Sequence, residues 1–175
     1  MNGDENGELP EGWTSGRVPE LIGADGLFSD GDWVESKDQD PAGDVRLVQL
    51  ADVGDGEYRN RSSRFLTQLK AQELDCSFLH RGDILVARMP DPLGRACLFP
   101  GDPKQCVTVV DVCIIRPAPD AVDTRWLLHT INSPDIRDTI AALEYCTTRK
   151  RISRSNLGSS VYRCNSGLNR VFRIG

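Results

Sequence analysis

Residues 57–65, Glu57-Tyr58-Arg59-Asn60-Arg61-Ser62-Ser63-Arg64-Phe65, set three arginines and small hydrogen-bonding side chains in one predicted loop around two aromatics. Arginine forks onto guanine, asparagine onto adenine, and either cations or hydroxyls can meet phosphate, so this mix suits nucleic-acid contact. An ordinary exposed loop has the same composition. A second group, Thr148-Arg149-Lys150-Arg151-Ile152-Ser153-Arg154, interleaves charge with hydroxyls in a segment predicted to run extended through Gly158. It can neutralise phosphates while still presenting donors and acceptors, or be a basic run of the nuclear-localisation kind. Arg88 and Arg95 flank the turn Pro90-Asp91-Pro92-Leu93-Gly94 and form either a phosphate-facing rim or ordinary charged strand ends. The candidate nucleic-acid-contacting set is therefore Arg59, Asn60, Arg61, Ser62, Arg64, Arg88, Arg95, Thr148, Arg149, Lys150, Arg151, Ser153 and Arg154.

Other chemistries find less support. Asp83, Asp111 and His80 could meet as a hydrolytic site, but carboxylates at strand ends commonly cap turns and neither histidine has a neighbour marking it as a base. There is no glycine loop of the phosphate-cradling kind. The six cysteines form no CxxC pair, a pattern that fits neither a disulfide framework nor a zinc finger. Asp30-Gly31-Asp32-Trp33 looks like the start of a calcium loop, yet Pro41 falls where the closing glutamate belongs. No catalytic residue, metal or cofactor is expected.

The charge distribution favours an anion-binding end. Residues 1–57 carry 15 acids against 3 bases, residues 58–144 carry 11 of each, and residues 145–175 carry 7 bases and no acid. The formal net charge of -5 hides that gradient. Nucleic acid is the commonest large anion for such a surface, with a solvated basic tail as the plain alternative. The acidic first third should face away from it.

These groups need a scaffold, and residues 82–116 supply its centre. Ile84 to Ala87, Ala96 to Phe99 and Val107 to Ile115 are apolar, β-branched-rich blocks bounded by Gly, Pro or Asp, which reads as an antiparallel meander of buried strands. Val45 to Leu50 reads as a strand with one exposed face. The stretch Leu66 to Leu79 is predicted to carry a short helix, with helix formers at 71–74. Asp123 or Thr124 caps a second helix ending at Asn132, and Ser133-Pro134 opens a third with Ile136, Ile140 and Leu143 on one stripe. At 175 residues the chain suits one mixed α/β domain with a mostly antiparallel twisted sheet and a few packed helices. With no run of eighteen apolar residues and an acidic N-terminus, no membrane span or secretory signal is expected, and a cytoplasmic location is.

In order along the chain, LPEGW, DGDWVESKDQ, VRLVQLADV, L-x-x-GDILVAR, GRACL, DVCIIRP and a helix pair before TTRKRISRSNLGS resemble a target recognition domain of the DNA specificity subunit of type I restriction-modification enzymes. The resemblance covers residues 9–158, leaving residues 1–8 as a disordered leader and 159–175 as an atypical tail. It implies sequence-specific reading of one half of a bipartite duplex-DNA target, with no chemistry in this chain. Modification subunits that use S-adenosylmethionine and restriction subunits that use ATP and magnesium are the implied partners. A second recognition domain or a homodimer would complete the target. Family members carry two recognition domains and two spacer helices, so the chain is expected to be truncated or frame-disrupted. The alternative is a remnant that only docks on the modification subunit.

Overall fold

A computed structural model describes residues 9, 11, 13–90, 92–143 and 150–165. Nine strands and five helices are assigned among them: β1 Trp13–Arg17, α1 Val18–Leu21, β2 Leu27–Asp30, β3 Val45–Val48, β4 Arg64–Leu66, α2 Gln68–Glu73, β5 Ile84–Ala87, β6 Ala96–Leu98, β7 Gln105–Thr108, β8 Val112–Arg116, α3 Thr124–Ile131, α4 Pro134–Ala142, α5 Arg154–Ser159 and β9 Val161–Asn165. A four-stranded antiparallel sheet has the order β2-β8-β5-β6, a three-stranded sheet the order β4-β3-β7, and β1 pairs with β9. The mixed α/β class expected from the sequence is the class present.

The meander differs in one respect. The third apolar block divides at Val109 to Asp111, where Val112 N donates to the Val109 carbonyl and turns the chain. Its first part, β7, leaves the meander to lie parallel to β3, with Val45 opposite Gln105. Its second part, β8, inserts between β2 and β5.

Layering explains why the strands read as apolar runs. Ile84, Val86, Cys113 and Ile115 point to a core shared with α3, α4, Ile152, Leu157 and Tyr162. The alternate residues Leu85, Ala87, Val112 and Ile114 point the other way, onto Val48, Cys106, Leu79 and Phe99. Val45, Leu47 and Val107, with Leu66 of β4, bury the outer face of the three-stranded sheet against Ala71 of α2. With both faces covered, alternation of polar and apolar residues disappears. β3 is accordingly buried along its whole length, Arg46 included, so the exposed face expected for it is absent.

Helix starts follow their side chains. Asp123 accepts from Trp126 N at 2.7 Å to begin α3, and Pro134 begins α4 with Ile136 and Ile140 inward. The segment expected to run extended through residue 158 instead turns helical at Arg154, because Ser153 Oγ accepts from Asn156 N at 3.0 Å. Past it, Tyr162 is fully buried and its hydroxyl donates to the Leu157 carbonyl at 3.0 Å. Among the described residues no helix is long and apolar enough to cross a membrane.

Candidate nucleic-acid interface

One end of the sheets gathers the predicted basic groups through main-chain and guanidinium contacts. The end is defined by the C-terminal ends of β2, β3, β5 and β7, tied together where Gly31 N donates to the Val112 carbonyl, Asp32 N to the Thr108 carbonyl and Val109 N to the Val48 carbonyl. The 49–62 loop leaves β3 there, the 88–95 turn leaves β5 there, and residues 150–154 cross beside it, with Ile152 N donating to the Arg88 carbonyl at 3.0 Å.

Arg88 and Arg95 do not lie on the surface, and in this the sequence reading is corrected. Arg88 is 5% exposed; its guanidinium donates to the Val110 carbonyl at 2.7 Å and lies 3.3 Å from Asp30. Arg95 is 8% exposed and donates to the carbonyls of Val53 at 2.9 Å, Pro90 at 2.8 Å and Leu50 at 3.2 Å. Burial, and then the nearby Arg59 and Arg137 cations, lower its pKa. Arg95 commits its fork to internal carbonyls, whereas Arg88 meets the Val110 carbonyl and the Asp30 and Asp111 carboxylates through Nη2 while its Nε has no partner. Both side chains are buried away from phosphate. Gly94, with φ of 73°, closes the turn between them and donates to the Ala87 carbonyl.

The loop bearing Arg59, Asn60 and Arg61 is held from below by Asp52. This carboxylate is fully buried; Oδ1 accepts from Arg61 N at 2.6 Å and Ser62 N at 2.8 Å, while Oδ2 accepts from Gln49 N at 2.8 Å and from the Ser62 hydroxyl. Arg59 N donates to the Asp52 carbonyl at 2.8 Å. Arg46, 8% exposed, sits 3.6 Å from Asp52 and 3.0 Å from Asp102, and it donates to the Ser62 carbonyl. Ser62 is thereby a structural residue of the loop. Arg59, Asn60, Arg61 and Arg64 are exposed, with Arg59 beside Glu57 and Arg64 reaching Gln39 at 3.5 Å.

On the second segment, Lys150, Arg151, Ser153 and Arg154 are exposed, whereas Thr148 and Arg149 fall outside the described residues. Arg151 meets Asp111 at 2.7 Å in an ionic contact without hydrogen-bond geometry, and Arg154 lies 3.6 Å from Asp30 over the Phe28 ring. The acidic first third therefore does not simply face away: Asp30 and Asp52 stand among the basic groups. Lys150 has a further interaction of its own.

Sequence reasoning missed Asp52, Arg46 and Arg137. Asp52 meets its loop partners 9 and 10 residues later, beyond any local motif. Arg137 binds Asp55 at 2.8 Å, Asn132 at 2.7 Å and the Leu93 carbonyl at 2.8 Å, beside a cavity of about 350 Å³. The hydrolytic grouping is not assembled: Asp83 is buried, binds Arg116 at 2.6 and 2.7 Å and accepts from His80 N, while Asp111 lies at the opposite end of β8. Burial pushes the thiols of Cys97, Cys106 and Cys113 up to about 12, as suits cysteines that act as small core hydrophobes. Among the described residues no His, Cys, Asp and Glu cluster could hold a metal.

No protein-family model matches the chain, and no curated protein matches it. Solved structures do. The chain superposes on a chain from a structure concerned with complex assembly and conformational transition of the type I R-M system, with TM-score 0.66 and 18% identity, over 96% of this chain and 38% of that one. On the HsdS subunit from Thermoanaerobacter tengcongensis the values are 0.64 and 17%, over 95% and 37%. On the type I restriction-modification system S subunit from M. genitalium they are 0.59 and 18%, over 97% and 37%. The fold is thus similar to that of type I specificity subunits, as the sequence resemblance implied. The chain spans under two fifths of the length of those solved chains.

Proposed function

We propose that the chain reads one half of a bipartite duplex-DNA target as the specificity component of a type I restriction-modification system. The observation that carries this reading is the convergence, on one end of the sheets, of exposed cations from two segments far apart in sequence, residues 59–61 and 150–154. Likeness of fold to specificity subunits supports it further. Arg64, exposed on β4, extends the same loop. Methylation and cleavage belong, on this reading, to modification and restriction subunits, and a second recognition domain or a second copy of the chain reads the other half-site.

Salt titration of binding to a labelled duplex tests the proposal. Phosphate contact releases counterions, so log affinity should fall linearly with log salt at about 0.9 per phosphate neutralised. Replacing Arg149, Lys150 and Arg151 together by alanine should flatten the line. Affinity indifferent to salt from low to physiological ionic strength would overturn the proposal.

A further inference from the structure

We infer that Asn60 reads a base edge, adenine by its hydrogen-bonding pattern, while the 150–154 segment contacts phosphate; this rests on the DNA-reading proposal. A base-reading side chain needs free donors and acceptors on a backbone fixed before binding, because a misplaced amide loses its bidentate geometry. A phosphate contact needs only charge and reach. Arg88 and Arg95 fail the first requirement, since both are buried and Arg95 commits its fork to internal carbonyls. Arg151 and Arg154 sit in ionic contacts with Asp111 and Asp30, of the kind that phosphate can replace.

Asn60 meets both conditions. Its backbone is pinned on each side by the one buried aspartate, through Arg59 N to the Asp52 carbonyl and Arg61 N and Ser62 N to Asp52 Oδ1. The residue itself takes φ of 50°, in the left-handed region where asparagine is at ease among non-glycine residues. It is exposed, and its side-chain amide has no hydrogen-bond partner among the described residues. One carboxamide offers a donor and an acceptor side by side, which matches adenine N7 and N6 in the major groove. Arg59 and Arg61 flank it as cations able to hold the backbone on either side.

The test uses the full chain and a randomised duplex library, with bound fractions sequenced. Wild type should enrich a motif containing adenine at a position where Asn60→Gly shows no preference, the discrimination falling by roughly fivefold to a hundredfold while the remaining positions persist. Glycine keeps the left-handed backbone, so folding is preserved, and an unchanged thermal midpoint verifies it. Asn60→Asp, an acceptor only, should shift that position towards cytosine, whose N4 donates. Identical motifs from wild type and both variants would overturn the inference and leave the DNA-reading proposal standing. A wild-type chain that enriches no motif would overturn both.

Discussion

Asp52 and Ser62 are joined twice: Ser62 N donates to Asp52 Oδ1 at 2.8 Å and the Ser62 hydroxyl donates to Oδ2, ten residues along the chain and wholly beneath the basic loop. Asp52→Ala should therefore cost about 3 kcal/mol or more, because it strands the Arg61 and Ser62 amides and removes a counter-charge from buried Arg46. Urea denaturation measures the loss. A cost below about 1 kcal/mol would contradict the anchoring role.

Arg95 offers a clean contrast between a strut and a phosphate contact. Arg95→Lys keeps the charge, yet a single ammonium has no planar fork to meet the carbonyls of Leu50, Val53 and Pro90 together. The variant should lose about 2 kcal/mol, a fall of roughly 4–8 °C in Tm for a chain of this size. Unchanged Tm with weakened DNA binding would restore the surface role.

If Arg151 meets phosphate as proposed, Asp111 competes with DNA for it. In Asp111→Asn the Arg151 guanidinium loses its 2.7 Å ionic partner, while Arg88 keeps Asp30 and the Val110 carbonyl. Duplex affinity should rise at low salt and the salt slope steepen by about one phosphate's worth, ~0.9. Fluorescence anisotropy across a potassium chloride series reads both quantities.

Asp32 gives a pH signature. Burial raises its carboxyl to about 6 from 3.8, against the lowering effect of the Ser77 amide hydrogen bond. Between those values the folded chain holds a proton that the unfolded chain has released, so Asp32 favours folding at the acid end and loses that contribution as pH climbs to 6. Asp32→Asn should remove this dependence. The difference in urea midpoint between variant and wild type should grow in the variant's favour from pH 4 to 6 and then level.

Helices and strands were legible where a local signal decides them. Asp123 before Trp126, Ser133-Pro134, and the Ile84 and Ala96 blocks all folded as read. The division of the third block was hidden because β7 pairs with β3, a partner distant in sequence, and apolar residues on both sides of Val109 mask the turn. At the candidate site, charge marked the segments that carry exposed cations but not which charges stay outside. Arg59 and Arg61 were distinguishable from Arg88 and Arg95 only by the carbonyls that close around the latter pair, and those carbonyls belong to residues 50, 53, 90 and 110. Nor does Ser153 differ in sequence from any other serine in a basic run; the Asn156 amide above it makes it a cap.

The parallel pairing of β3 with β7 also bears on the order of events expected during folding. Val48 and Thr108 touch across 60 residues, and a parallel ladder of this kind has no tight turn to nucleate it. Hairpin β5–β6, built from nearby residues, should close early, and the three-stranded sheet only after the intervening chain has collapsed. The basic loop hangs from that late-forming sheet. On the DNA-reading proposal, a partly folded chain would have its central hairpin before its basic loop and would engage DNA only once the whole domain has closed.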